Sequence, residues 1–322
     1  MLCLALAPIS LALRTGPTLH RRDVLSLAPA AAIAGIAGPA LADVSAIVKL
    51  ADGSSFPLVS FGLQIYNDDT AEKLTTIALE EGYRNFFASV LAGNQRGFAR
   101  AVKKSKIPRE ELYICGSVVS NRVRGEEAAY ASTARGCAAN LEAFAEGGID
   151  YVDMIMLDYP GPDCDSIRGQ WKAFEKMKAD GQAKSLAVSN FSPVQLDCIL
   201  NTKPKTKPVV NQLPISAGLY GRTSTAEQLA ENKKRGVLVQ AWSPLGGSTG
   251  GIPKSVRQEC ATIGKAYGKS GAQVALRWIV QSGAALTTQT KTRAHFKEDL
   301  DIFDFALTAD EMERLDGSGG AA

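Results

Sequence analysis

Short apolar runs alternate with segments of helical periodicity along most of this chain, and that alternation restricts the possible folds more than any other feature. The clearest helical segments are 70–81, 126–146, 166–178, 272–280 and 309–315. Two apolar runs of strand length lie within residues 44–63. Further runs of strand length lie near residues 84–88, 112–118, 151–157, 185–188, 209–212, 237–242 and 285–287. Such alternation is typical of βαβ units. Eight strand–helix units predict a closed (β/α)8 barrel, or TIM barrel, whose ligand site lies at the carboxyl ends of the strands.

The N-terminal part of the folded region is expected to contain a hairpin. Between Val44 and Leu63 two short strands flank Asp52-Gly53, a dipeptide typical of hairpin turns. At 322 residues the chain is long enough for one large barrel, and no change in composition marks a second domain. We therefore predict one α/β barrel domain over residues 43–322.

The first 42 residues have the features of a targeting leader that is cleaved from the mature protein. A short apolar run, residues 1–13, precedes the paired Arg21 and Arg22 and a second apolar stretch, residues 25–42. That stretch ends in Ala-Leu-Ala, which matches the small-residue pattern of signal-peptidase sites. Paired arginines before an apolar stretch resemble a twin-arginine export signal.

Two signals in tandem predict a plastid protein delivered to the thylakoid lumen. The alternative is export to a bacterial periplasm, which needs only the second signal. A transmembrane anchor is disfavoured because residues 25–42 are rich in Ala, Gly and Pro, which make a poor spanning helix. No stable membrane span is expected after cleavage.

The small net charge argues against a nucleic-acid partner. The whole chain has a formal charge of +3. The leader contributes three arginines and one aspartate, or +2, which leaves +1 for residues 43–322. A domain that binds nucleic acid ordinarily has a strongly basic face.

The cysteines and histidines are too scattered to predict a metal centre. One of the six cysteines lies in the leader, and the other five have no Cys-x-x-Cys spacing: Cys115, Cys137, Cys164, Cys198 and Cys260. Their odd number and scatter predict buried free thiols rather than a zinc site or a disulfide framework. His295 is the one histidine after the leader, so neither a histidine-based metal site nor a His–Ser catalytic pair is expected.

Three segments near the second, third and fourth predicted strands carry a common pattern. Residues 82–95 read GYRNFFASVLAGNQ, residues 109–117 read REELYICGS, and residues 150–160 read DYVDMIMLDYP. They resemble the aldo-keto reductase family, whose catalytic tetrad is an aspartate, a tyrosine, a lysine and a histidine. The resemblance covers residues 44–316 and implies that the hairpin closes the bottom of the barrel. The four tetrad positions here hold Phe87, Ala92, Ser117 and Asp158.

These replacements remove the chemistry that the family uses to reduce a carbonyl group with hydride. In the family the tyrosine protonates the developing alkoxide, and the nearby lysine lowers the pKa of that tyrosine. The aspartate fixes the lysine, and the histidine orients the carbonyl. Phe87, Ala92 and Ser117 cannot take over these roles, and an ionised Asp158 would repel an alkoxide. We therefore expect a non-catalytic or strongly altered member of the family.

The positions that would contact the nicotinamide end of a cofactor are better preserved. Three short segments carry this resemblance, and they read AVSNF at 187–191, NQ at 211–212 and AWSPLG at 241–246. The resemblance assigns the carboxamide to Ser189, Asn190 and Gln212, ring stacking to Trp242, and the pyrophosphate to Ser243 and Leu245. The alternative is that these polar residues at strand ends only satisfy loop backbone groups.

The positions that would contact the adenine end have changed more. Residues 287–295, TTQTKTRAH, take the place of the family's phosphate-binding segment. Gln289 replaces a lysine and His295 an arginine that grip the 2′-phosphate, a group that needs fixed positive charge. If the loop shifts, Lys291 and Arg293 take the place of these two missing cations. The alternative is that both are solvated surface charges. The remaining expected cofactor contacts are Thr290, Glu298, which is kept, and Asp299, which replaces an asparagine.

The resemblance therefore implies a nicotinamide nucleotide, NADP or NAD, with a weakened 2′-phosphate site. Our first hypothesis is a barrel that binds this nucleotide without tetrad catalysis. The second is an active NADP-dependent reductase of a small carbonyl compound, in which Tyr66, Tyr159 or water supplies the proton. The third is a barrel subunit that acts in protein interaction.

Overall fold

The barrel predicted from the sequence is confirmed. A computed structural model describes residues 46–218, 224–247 and 251–316, so the predicted leader lies outside the described residues. Eight parallel strands close on themselves, because the last strand pairs with the first. In chain order they are β3 Val59–Gly62, β4 Asn85–Phe87, β5 Tyr113–Val118, β6 Val152–Asp158, β7 Ala183–Ser189, β8 Val210–Pro214, β9 Leu238–Trp242 and β10 Ala285–Thr288.

The expected hairpin precedes the barrel and is attached to its amino-terminal end. Strands β1 (Ile47–Lys49) and β2 (Ser55–Pro57) pair antiparallel. The turn residue Asp52 accepts a hydrogen bond of 2.6 Å from the hydroxyl of Ser185, near the start of β7. The buried ring of Phe56 packs edge-on against Tyr113 at the start of β5, with 5.0 Å between ring centroids. These contacts close the bottom of the barrel.

Helices follow the strands, and the sequence identified about half of those in the described residues. The five predicted segments correspond to α1 Asp68–Glu80, α3 Glu126–Ala145, α4 Cys164–Ala179, α8 Gly271–Gln281 and α10 Ala309–Leu315. The others were not predicted: α2 Gln95–Ser105, α5 Pro193–Leu200, α6 Thr225–Lys234, α7 Lys254–Tyr267 and α9 Arg293–Leu300. For α5 a signal was present, since its capping box of Ser192 and Gln195 flanks a proline at the first turn. None of the helices in the described residues is long and apolar enough to cross a membrane.

An aromatic cluster fills the space between the first barrel strand and α9. The ring of Phe61, which is fully buried in β3, lies 4.8 Å from Phe296 and 5.8 Å from Tyr83, measured between centroids. Tyr66 stacks on the other side at 6.4 Å. This cluster supports the strand end at Gly62 and the loop that follows it.

The expectation that no disulfide forms is wrong. Cys164 and Cys198 are joined, with 5.1 Å between their Cα atoms, and they connect the first turn of α4 to α5. The two cysteines are 34 residues apart, so only the packing of α4 against α5 brings them together. The other three described cysteines are buried free thiols, as expected: Cys115, Cys137 and Cys260.

Candidate functional site

A cavity of about 360 Å³ opens where the carboxyl ends of the barrel strands meet. This is the end at which (β/α)8 barrels place their ligand sites. Its walls come from strands β3, β4 and β6–β10 or from the loops that follow them. The lining residues are Gly62, Gln64, Ile65, Phe87, Tyr159, Ser189, Asn190, Gln212, Trp242, Ser243, Pro244, Leu245, Gly247, Thr287, Thr288 and Gln289.

The four positions of the tetrad all lie at this end of the barrel. Phe87 is the last residue of β4 and lines the cavity, and Asp158 is the last residue of β6. Ser117 is fully buried near the end of β5, where its hydroxyl accepts a 3.2 Å hydrogen bond from the backbone N–H of Val90. Ala92 lies in the same loop as Val90 and is partly buried. The hydroxyl of Ser117 therefore holds a loop in place.

Asp158 is a buried carboxyl at the end of β6, beside the cavity-lining residues Ser189 and Asn190. Its side chain is 2% exposed, and its Oδ2 atom has no hydrogen-bond partner among the described residues. Burial raises the pKa of this carboxyl to about 6, although hydrogen bonds from Ser189 and Asn190 act in the opposite direction. At pH 7.5 Asp158 is therefore mainly ionised, which agrees with the sequence-based expectation.

A hydrogen-bonded chain connects Asp158 to the cavity wall. Asn190 donates through Nδ2 to Asp158 Oδ1 at 3.3 Å, and its Oδ1 accepts from Trp242 Nε1 at 3.1 Å. The same Nδ2 lies 2.9 Å from Ser189 Oγ. Asn190 has a φ of 64°, a left-handed conformation that asparagine tolerates better than most residues. A change at any of these side chains will therefore alter the position of the others.

Gln212 takes part in a second polar chain, which crosses the barrel interior. Its Nε2 donates to Gln240 Oε1 at 2.9 Å, and Gln240 Nε2 donates to Ser60 Oγ at 3.1 Å. The three residues predicted to bind the carboxamide, Ser189, Asn190 and Gln212, thus line one cavity. An amide ligand carries both donors and acceptors, and side chains of this kind suit it.

The loop ends beside these residues leave space for a ligand. The hydroxyl oxygen of Thr287 is buried, lines the cavity and has no partner among the described residues. Gly62 faces it, and a Cβ atom at Gly62 would lie 2.6 Å from that oxygen. Ser243 and Leu245, predicted to contact the pyrophosphate, line the same cavity, and Ser243 has a φ of 50°.

The predicted adenine side is only partly assembled around the cavity. Gln289 lines it, whereas Thr290, His295, Glu298 and Asp299 are not among its lining residues. Thr290 Oγ1, in the loop before α9, lies 3.2 Å from Nδ1 of His295 in the first turn of that helix. Asp299 is buried, and burial raises its pKa to about 6, with Thr288 and Tyr83 as its hydrogen-bond partners.

Lys291, in the loop before α9, and Arg293, the first residue of α9, have different environments. Arg293 forms ion pairs of 2.9 Å with Glu80 and 2.6 Å with Glu81, at the end of α1. Lys291 is exposed, and its Nζ lies 5.6 Å from the ring centroid of Tyr66. Because two glutamates neutralise Arg293, it is a poor substitute for the cations that are missing from the 2′-phosphate site.

Several lining or supporting residues were not predicted from the sequence. Gln64, Ile65, Thr287 and Thr288 line the cavity, and Gln240 orients Gln212. A signal for Gln240 was available, because it lies two residues before Trp242 in a strand and therefore faces the same side. Thr287 and Thr288 end strand β10, whereas Gln64 and Ile65 lie in the loop after β3 and have no comparable signal.

Comparison with known proteins identifies one family. The model of the aldo/keto reductase family matches residues 58–319. An aldo-keto reductase of Mycolicibacterium smegmatis is 32% identical over 271 residues, which cover 84% of this chain and 89% of that protein. A glyoxal reductase of Bacillus subtilis is 30% identical over 84% of this chain and 91% of its own length. A crystal structure of an aldo/keto reductase from Brucella melitensis is 30% identical, with a TM-score of 0.72, and covers 84% of this chain and 98% of that one.

Proposed function

Because this chain belongs to the aldo-keto reductase family, we propose that it binds a nicotinamide nucleotide but does not use the family's tetrad to reduce carbonyl compounds. Similar proteins that are named reductases indicate an oxidoreductase scaffold. One observation carries the proposal. The three candidate carboxamide contacts converge on one cavity, while the four tetrad positions around it hold Phe87, Ala92, Ser117 and Asp158.

The residues around the cavity fit a nicotinamide group. Ser189, Asn190 and Gln212 would hold the carboxamide, and Trp242 would stack on the ring. When bound, such a nucleotide supplies hydride chemistry, and this chain's own residues orient the ring and exclude water from it.

The alternative of a relocated proton donor is less well supported. Tyr159 lines the cavity, but burial and then the neighbouring Asp158 raise the pKa of its hydroxyl. Burial also raises the pKa of Tyr66. In the family's mechanism a lysine lowers the pKa of the tyrosine, so these shifts are in the opposite direction.

Binding is tested by titrating the leader-free protein with NADPH and following the fluorescence of the protein. Trp242 contributes to the cavity wall, so we expect saturable quenching in the wild type and a much smaller signal in Trp242→Leu. Calorimetry on both proteins separates loss of binding from loss of the reporter. If calorimetry detects no nucleotide binding to the wild type at millimolar concentrations, the proposed function is wrong.

The same titration tests cofactor choice. We expect NADPH to bind less than about tenfold more tightly than NADH, because each missing charge-assisted contact removes roughly 1.5–3 kcal/mol. Gln289 and His295 lack the fixed charge, and Arg293 is paired with Glu80 and Glu81. A preference above about a hundredfold that disappears in Lys291→Ala would show that this lysine binds the phosphate.

We also propose that the protein is exported to the thylakoid lumen after loss of its leader. The disulfide between Cys164 and Cys198 supports an oxidising compartment. The test is the mass of the protein isolated from its natural source. A mature chain that begins near Asp43 agrees with the proposal, and a full-length chain contradicts it.

A further inference from the structure

We propose that this site distinguishes the two redox states of the nucleotide and binds the oxidised, cationic nicotinamide ring more tightly than the reduced, neutral ring. The inference rests on the proposed function, since it requires that the nucleotide binds in the cavity. It adds a role for Asp158, which faces the carboxamide-binding residues from β6.

The negative charge of Asp158 beside the cavity is the first support for this inference. Asp158 pairs with Ser189 in the sheet register and accepts a hydrogen bond from Asn190, so it touches two residues that line the cavity. Among the residues that the structure describes, Tyr159 is the only titratable side chain in the lining, and no lysine or arginine belongs to it. The position of the family's catalytic lysine is occupied by Ser117 in this chain. The described lining therefore offers no positive charge, and Asp158, which contacts it through Asn190, supplies a negative one.

The environment of Asp158 makes this charge effective. Its hydrogen-bond partners are the neutral side chains of Ser189 and Asn190, and its Oδ2 is buried with no partner within the described part of the chain. An uncompensated charge in a low-dielectric interior acts over several ångströms. A ligand that brings positive charge into the cavity would recover part of the free energy that burial of this carboxylate costs.

The cavity walls are the second support. Phe87, Tyr159 and Trp242 give it three aromatic faces or edges. The face of an aromatic ring attracts cations, and a tryptophan does so most strongly. Both the aromatic walls and the carboxylate of Asp158 therefore stabilise a bound pyridinium ring. A neutral dihydronicotinamide ring is stabilised only by stacking.

Two buried carboxyls have a pKa of about 6, Asp158 and Asp299, and of these two Asp158 is the one beside Ser189 and Asn190. On β5 it faces Cys115, whose thiol pKa is raised mainly by burial, and in its own loop it adjoins Tyr159, whose pKa is also raised. The partners on β7, Ser189 and Asn190, do not titrate. Asp153, at the other end of β6, is ion-paired with Arg109 at 2.7 Å and with Lys184 at 3.1 Å.

The sign of the pH dependence follows from this assignment. Burial raises the pKa of the Asp158 carboxyl to about 6. A cationic ring favours the carboxylate, so its affinity should rise as pH increases through this pKa and level off above it. A neutral ring has no such preference. If the bound cation lowers the pKa of Asp158 by about 1, the affinity for the oxidised form increases about tenfold at pH 8 and about threefold at pH 5.5.

The experiment compares dissociation constants of oxidised and reduced nucleotide between pH 5.5 and 8, by calorimetry, for the NADP and NAD couples. Taking the ratio within a couple cancels the titration of the phosphates, which both members share. We expect the ratio to favour the oxidised form by about tenfold at pH 8 and to decline toward pH 5.5. In Asp158→Asn, which keeps the shape of the side chain, the ratio should fall to the value that the aromatic walls alone provide, and it should no longer change with pH.

Asp165→Asn is the matched control, because this carboxylate is 65% exposed in the first turn of α4. It should behave like the wild type, and circular dichroism checks that all variants are folded. Equal affinity for both forms in the wild type at all pH values would overturn the inference while leaving the proposed function intact. A ratio that favours the oxidised form equally in Asp158→Asn would also overturn it. Failure to bind either form would overturn the proposed function.

Discussion

The leader-free protein is expected to show no measurable NADPH-dependent reduction of a reactive aldehyde such as 4-nitrobenzaldehyde. A general acid contributes roughly 10²–10⁴-fold to such a reaction, and an oriented donor to the developing oxyanion contributes about 10²–10³-fold. Both are missing here, because the tyrosine, lysine and histidine positions hold Ala92, Ser117 and Asp158. The buried carboxylate of Asp158 adds repulsion of the alkoxide. The measurement is NADPH oxidation at 340 nm under saturating nucleotide.

Restoration of the tetrad provides the control. Residues of this kind act as a unit, so the single change Ala92→Tyr should recover little activity. The combined changes Phe87→Asp, Ala92→Tyr, Ser117→Lys and Asp158→His should recover measurable reduction if the nucleotide binds. The buried hydroxyl of Ser117 also holds the backbone of Val90, so this loop must move to admit the lysine. Ordinary reductase rates in the unmodified protein would contradict the prediction and direct attention to Tyr66 and Tyr159.

Phe61→Ala is expected to lower the free energy of unfolding by about 3–5 kcal/mol. The ring is fully buried and packs against Phe296, Tyr83 and Tyr66. Its removal leaves a cavity that rigid neighbouring rings cannot fill. Urea denaturation followed by circular dichroism measures the effect as a lower midpoint at an unchanged m value.

The control for this prediction is Val194→Ala in α5, where the side chain is 73% exposed. A change at such a position should alter the stability by less than about 0.5 kcal/mol. Because Phe61 adjoins Gly62 in the cavity wall, its loss should also weaken nucleotide binding. A loss of less than about 1 kcal/mol in Phe61→Ala would mean that the cluster can repack.

Much of the fold could be predicted because its signals are local. The apolar runs placed seven of the eight barrel strands, β4 to β10, and Asp52-Gly53 marked the hairpin, since strand period and turn chemistry depend on neighbouring residues. Strand β3, which begins two residues after the hairpin, was not separated from it. Five helices in the described residues were missed, and they range from eight residues in α5 and α9 to 14 in α7. Helix α9 is one of them, and its eight residues span little more than two turns, too few to establish a clear period.

Part of the candidate site could also be predicted from the sequence. Every tetrad position and every residue from Ser189 to Leu245 that was assigned to the nicotinamide and pyrophosphate end lies at the carboxyl end of a strand or in the loop after one. This placement follows from the parallel barrel, because all its strands end on the same side. Gln240 was missed although its spacing from Trp242 places both on one side of β9.

Identities and local patterns of residues determined which chemistry is missing at this site, because a phenylalanine or an alanine cannot carry a proton or a charge in any fold. Only the tertiary structure decided which residues meet. Packing of α4 on α5 brings Cys164 to Cys198, and the loop before α9 turns Arg293 toward Glu80 and Glu81. Burial in the closed barrel raises the pKa of Asp158 to about 6 and leaves one of its oxygens unpartnered in the described chain. These properties depend on desolvation and on contacts between distant segments, which no local pattern contains.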